Sequence, residues 1–227
     1  MTFSPLVEVK FTETQIAIAL CAGDLGGGHI GIAYHSEQGP SVLHLAWHKK
    51  LDLIRISEEP HDFCWISTTL DLPPLASKQV VAYIRVVESN MPAINYGTDF
   101  VASKGSFDAS GTYCPPEGSL GLTCASFVLE VLRGASIDLI QSETWQPSEE
   151  NNTWKAKVCA LLERYGADKN HVDAVKNNTN GLRLRPYELA GSAMLSRDKW
   201  PTNFSLAQSL ATTAENALTN FCPIACP

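Results

Sequence analysis

Alternating hydrophobic and polar positions dominate the first third of the chain. Ile30, Ile32 and Tyr34 alternate with small or polar neighbours, and this period of two predicts a β-strand with one buried face. The loop 35–41 is short enough to join that strand to the next one as an antiparallel hairpin. Other segments of strand length lie at 7–11, 16–20, 42–47 and 63–66. The pattern predicts a small antiparallel sheet.

The hydrophobic period then changes to that of an α-helix. Val80, Val81, Ile84 and Val87 recur at helical spacing, which predicts a helix over 76–88. Strands followed by helices indicate an α+β fold. Further helices are predicted at 123–134, 153–165 and 205–218, with a glycine- and proline-containing loop over 91–122.

Cys124 occupies a chemically distinctive place at a predicted helix start. Thr123 is a good N-cap and Gly134 a good terminator, so the thiol falls in the first helical turn. Unpaired backbone N–H groups and the helix dipole there favour a thiolate and can face a developing oxyanion. The alternative is a small buried residue with no reactivity. We expect Cys124 to be alkylated before the other six cysteines.

Two histidines are expected to share one face of the predicted hairpin. His29 begins the strand 29–34, and His44 lies in the strand 42–47. If paired residue numbers add up to about 73 the two are directly opposite, and if to about 75 they are diagonal neighbours. One imidazole can then serve as general base for a thiol while the second orients it. His48 shares the face of His44 and is the alternative to it as the histidine that orients the base.

Other interpretations of these histidines and cysteines have less support in the sequence. Either histidine alone is more typical of a half-buried strand position hydrogen-bonded to the backbone. No third ligand falls at H-x-x-x-H or C-x-x-C spacing, so a metal site is not predicted, and no cofactor is implied. The string His61-Asp62-Phe63-Cys64 resembles a motif only superficially.

Composition and charge limit the partners. The formal net charge is −7 and no basic cluster exceeds the pair Lys49-Lys50, which argues against binding nucleic acid. Seven scattered cysteines without a C-x-x-C pair indicate reduced thiols, and the N-terminus does not resemble a signal peptide. No apolar run reaches the roughly 20 residues of a membrane helix. We therefore expect a cytoplasmic protein, unless a dedicated secretion system exports it.

The order of these motifs resembles a known family. Gly23-Asp24, the string His29-Ile30-Gly31-Ile32-Ala33-Tyr34, the string Val42-Leu43-His44 and then Cys124 followed by Phe127-Val128 are similar to the circularly permuted NlpC-type papain-like cysteine hydrolases. That group includes the lecithin:retinol acyltransferase-like enzymes. The resemblance covers about residues 20–135, and the triple glycine 26–28 and the long separation between His44 and Cys124 depart from it.

The resemblance implies a permuted papain-like fold, with the sheet packed against the helix that carries the nucleophile Cys124. His29 would be the base and His44 the third member of a Cys-His-His triad. We expect residues 1–140 to form the catalytic core and 141–227 a helical C-terminal extension packed on the same domain.

The predicted activity is that of a cysteine peptidase or amidase. It would cleave an amide, peptide or thioester bond through an acyl-enzyme, with a peptide, amide or acyl compound, or a protein, as substrate. The alternatives are a thiol acyltransferase of the same fold, an exported cell-wall peptidase toxin and an inactive binding module.

Overall fold

The strands form one antiparallel sheet in a computed structural model that describes residues 2–23, 25–56 and 64–222. The sheet order is β1-β6-β2-β3-β4-β5. Neighbours along the chain from β2 to β5 are neighbours in the sheet, as short connections favour. The strands are β1 (Ser4–Pro5), β2 (Ala17–Cys21), β3 (His29–Ser36), β4 (Gly39–Trp47), β5 (Lys50–Arg55) and β6 (Trp65–Thr69).

The hairpin of β3 and β4 has the register that makes the two histidines diagonal neighbours. Ile32 pairs with Leu43 and Ala33 with Val42. On this face β3 and β4 leave no room for a larger residue at Gly31, because a Cβ there would come within 2.9 Å of the His44 Cβ. The edge strand β5 was not predicted from the sequence, although hydrophobic and polar residues alternate regularly along it.

The helices cover one face of the sheet. Ile30, Ile32 and Leu43 point into the main core together with Phe127 and Val128 of the helix that begins at Cys124. The predicted helices 76–88, 123–134, 153–165 and 205–218 are confirmed with small shifts at their ends. The six helices of the described ranges are α1 (Pro74–Asn90), α2 (Cys124–Gly134), α3 (Glu149–Arg164), α4 (Lys169–Asn177), α5 (Pro186–Ala193) and α6 (Phe204–Phe221). The α+β class is therefore confirmed.

The other face of the sheet is covered by the N-terminal segment. Leu6 and Phe11 pack there against Ala33, Val42 and Trp65 in a second, smaller core. The strand predicted over 7–11 is wrong, because Leu6–Glu8 forms a turn of 3-10 helix instead. The buried side chains are five positions apart, which does not fit the period of two that a strand requires.

The C-terminal part of the chain is helical and packs on the same sheet. Helix α5 contacts α6, α2 and strand β2. Among the described residues, no helix is both long enough and apolar enough to span a membrane.

The expectation that all cysteines are reduced thiols is wrong for two of them. Cys64 and Cys222 form a disulfide that joins the start of β6 to the end of α6. The pairing depends on tertiary proximity across a sequence separation of 158 residues, which local spacing does not reveal. Cys21, Cys114, Cys124 and Cys159 are outside any disulfide.

Candidate active site

The structure places Cys124 at the first residue of α2, as predicted. Thr123 is the N-cap, and its hydroxyl accepts a hydrogen bond from the Ser126 N–H at 3.1 Å. The Ser126 hydroxyl accepts one in return from the Thr123 N–H at 2.7 Å. This capping box fixes the start of the helix and therefore the position of the thiol.

The protonation state of the thiol differs from the expectation. Burial raises the pKa of Cys124 to about 11, and this outweighs the opposing effects of the Ile30 and Ala125 N–H groups and of Arg183. The helix start alone therefore does not produce a thiolate, because Cys124 is buried, with a relative exposure of 5%. Near neutral pH the side chain of Cys124 is therefore a neutral thiol.

His29 and His44 form a direct contact. The distance from His29 Nε2 to His44 Nδ1 is 2.6 Å, and the rings meet edge to face. His48 lies elsewhere, since its Nδ1 accepts a hydrogen bond from the Tyr96 N–H at 3.2 Å. The geometry therefore makes His44, rather than His48, the partner of His29.

Both imidazoles of this pair are neutral near pH 7. Burial, followed by the neighbouring His44, lowers the pKa of His29 to about 3. Burial also lowers the pKa of His44 to about 4, although Asp52 on β5 partly opposes it. The indole of Trp65 contacts both rings, with centroid distances of 5.9 and 5.8 Å, and helps to exclude water from them.

The pair and the thiol reach one cavity from two sides of the sheet. By strand alternation the histidines lie on the face that Leu6 and Phe11 partly cover, whereas α2 packs on the other face. The sequence did not predict this division. The cavity, about 890 Å³ in volume, is lined by His29, His44 and Cys124 together.

His29 and the Cys124 thiol are not in direct hydrogen-bond contact in the described residues. The thiol instead interacts with the N–H of Ile30, the residue next to His29. Because Nε2 of His29 contacts His44, Nδ1 is the ring nitrogen that this contact does not use.

Tyr96 completes the site and was missed in the sequence. It belongs to the predicted loop 91–122, where no periodic pattern could single it out. Its backbone is held on both sides, because its N–H donates to His48 and its carbonyl lies 3.1 Å from His171 Nε2. Burial and the adjacent Cys124 raise the pKa of the phenol well above its usual value. Tyr96 is thus a protonated hydrogen-bond donor beside the thiol.

Parts of the sequence interpretation fall outside the described residues. Asp24 of the Gly-Asp string, residues 61–63 of the His61 string and Cys226 are among them. Within the described ranges, no group of three or more His, Cys, Asp or Glu side chains is arranged to hold a metal ion.

Comparisons with known proteins give no relative for this chain. No protein-family model matches it, and neither the curated proteins nor the solved structures contain a match.

Proposed function

We propose that this protein is a thiol hydrolase that cleaves an amide, peptide or thioester bond through an acyl-enzyme on Cys124. The observation that carries the proposal is the meeting of a helix-start cysteine and a 2.6 Å histidine pair in one cavity. The resemblance to the permuted papain-like hydrolases supports the same assignment, and with it a permuted papain-like fold.

In the first step, His29 Nδ1 takes the thiol proton, directly or through one water, as the sulfur attacks the acyl carbon. The protonated His29 keeps its Nε2 hydrogen bond to His44 Nδ1, which holds the ring in place. That imidazolium then gives its proton to the leaving amine or thiol. Water releases the acyl group in a second step of the same kind.

The tetrahedral oxyanion would be held by the backbone N–H of Cys124 and by the hydroxyl of Tyr96. Both are close to the sulfur, and neither needs to change its protonation during the reaction. Because thiol and imidazole are both neutral at rest, the attack depends on general-base catalysis rather than on a preformed ion pair.

A second candidate function is that of an exported hydrolase, which differs from the first in the compartment where it acts. The disulfide between Cys64 and Cys222 is typical of proteins that work in an oxidising compartment. It favours the exported hydrolase among the alternatives, whereas a cytoplasmic location stays a prediction that this disulfide does not support.

A screen of acyl donors with two cysteine variants tests the proposal. Cys124→Ala should abolish turnover of p-nitrophenyl esters, peptide amides and thioesters while the circular dichroism spectrum stays unchanged. Cys159→Ala is the matched control, since Cys159 is buried in α3 and does not line the cavity. Full turnover by Cys124→Ala, or an equal loss in both variants, would contradict the proposal.

A further inference from the structure

The described residues that line the cavity carry a charge opposite to that of the protein. The chain has a formal net charge of −7, yet its described lining residues include four basic side chains and one carboxylate. That carboxylate, Asp52, forms an ion pair with Lys50 at 3.7 Å. Lys157, Arg164 and Arg183 remain as basic groups of the lining, a distribution that attracts an anionic ligand.

Arg183 is the buried member of this group. Its relative exposure is 7%, and its guanidinium carbon lies 4.1 Å from the centre of the Trp154 ring. Nη2 donates a hydrogen bond to the Gly26 carbonyl at 3.2 Å. A Cβ on Gly27 would lie 2.7 Å from Nη2, so the glycine turn makes room for the guanidinium. The side chain is held in one orientation on the cavity wall.

Among the described residues, no carboxylate is in ion-pair contact with this buried cation, and Glu150 and Glu188 act on it only from a greater distance. Nor does Nε of Arg183 have a hydrogen-bond partner among these residues. Arg185, two residues later, pairs with both Glu188 and Glu150. Leaving a buried charge unpaired is costly, and an anion bound in the cavity would supply the missing partner.

Arg183 also lies close to the reaction centre. Its positive charge acts on both the Cys124 thiol and the Tyr96 phenol, and all three residues line the same cavity. The planar fork of a guanidinium matches the two oxygens of a carboxylate. The aromatic wall of Trp154, Trp47 and Trp65 suits an organic anion better than an inorganic one.

We propose that Arg183 is a specificity-determining residue that binds a carboxylate of the substrate beside the scissile bond. The preferred substrates of the Cys124 hydrolase would then be acyl compounds or peptides that carry a free carboxylate. This inference rests on the proposed function, because it assigns the substrate class of that same site.

A pair of alkylating reagents tests the inference without knowledge of the substrate. Iodoacetate and iodoacetamide both transfer a two-carbon group to sulfur with loss of iodide, and they differ only in carboxylate against amide. Their rates at Cys124 are measured at pH 9 by peptide mapping, and their ratio is compared with that for 2-mercaptoethanol. We expect the ratio at Cys124 to exceed the reference by about tenfold or more, since a charge-assisted hydrogen bond favours the anion.

Arg183→Gln should lower that ratio to near the reference, and Arg183→Lys should retain part of the preference. Arg55→Gln is the matched control, because Arg55 is exposed on β5 and does not line the cavity. Dividing the two rates cancels any general change in thiol reactivity. If Arg183→Gln does not fold, the wild-type ratio alone decides.

A wild-type ratio equal to the reference, or one unchanged in a folded Arg183→Gln, would overturn the inference while leaving the hydrolase intact. Failure of the proposed function looks different, since Cys124 would then be dispensable for turnover in the acyl-donor screen. With an active donor, the same comparison is repeated on two substrates that differ only in carboxylate against carboxamide. We expect Arg183→Gln to reduce kcat/KM about tenfold or more for the carboxylate alone.

Discussion

His29 Nε2 lies 2.6 Å from His44 Nδ1, between two strands whose register makes these residues diagonal neighbours. One of the two nitrogens must carry the proton they share. If His29 donates it, its Nδ1 is unprotonated and can act as a base toward Cys124. His44 would thus be a positioning residue that selects the tautomer of His29.

Substitutions of His44 test whether its hydrogen bond orients the His29 ring. We expect His44→Ala to lower kcat about 10- to 100-fold with little change in KM, because His29 loses the group that orients it. His44→Asn, whose side-chain oxygen can accept the same hydrogen bond, should recover part of the loss. Steady-state kinetics on an active donor measure both effects, and equal activity of wild type and His44→Ala would refute this role.

The buried thiol predicts an unusual pH dependence of alkylation. Because the pKa of Cys124 is raised to about 11, the thiolate fraction should grow about tenfold per pH unit between pH 7 and 10. The rate of iodoacetamide labelling at Cys124 should rise in parallel, and exposed Cys114 should be labelled faster at pH 7. This order of labelling is the reverse of the one expected from the sequence, because burial raises the pKa of the Cys124 thiol. A rate plateau below pH 8 would instead indicate a thiolate–imidazolium pair.

Removal of one hydroxyl tests the oxyanion donor. Tyr96→Phe should lower kcat about 100-fold, since a donor aimed at a developing oxyanion acts in the transition state. KM should change little. Tyr113→Phe is the control, because Tyr113 is a half-buried tyrosine that does not line the cavity. Equal kinetics for Tyr96→Phe and wild type would exclude Tyr96 from catalysis.

The disulfide should affect stability and not chemistry. A crosslink spanning 158 residues restricts the unfolded chain, so its reduction should lower the free energy of unfolding by up to about 5 kcal/mol. Urea unfolding with and without reductant measures this, and the double variant Cys64→Ala/Cys222→Ala should not respond to reductant. Neither sulfur lines the cavity, so kcat should be retained. Identical unfolding curves in both conditions would argue against the disulfide.

Local patterns in the sequence were sufficient for the elements that carry the candidate triad. The capping residue Thr123 placed the helix start, and the alternation around Ile30 with a short loop placed His29 and His44 on one face. These features depend on neighbours within a few residues, which the sequence displays directly.

Tertiary properties could not be predicted in this way. The pKa of Cys124 depends on how deeply the fold buries it, and Tyr96 and Arg183 reach the cavity from segments without a periodic pattern. The N-terminal segment looked like a strand because Val7 and Phe11 fit an alternation, yet Val7 is 58% exposed. Only packing distinguishes that segment from a true strand.

Trapping the acyl-enzyme tests the central claim most directly. Wild type is mixed with p-nitrophenyl acetate, quenched in acid within the first turnover and digested for peptide mapping by mass spectrometry. We predict one acetyl group on the peptide that contains Cys124, none there in Cys124→Ala, and acylation about 1,000-fold slower in His29→Ala. Turnover of the ester without any acyl group on Cys124, or unchanged acylation in His29→Ala, would contradict the account.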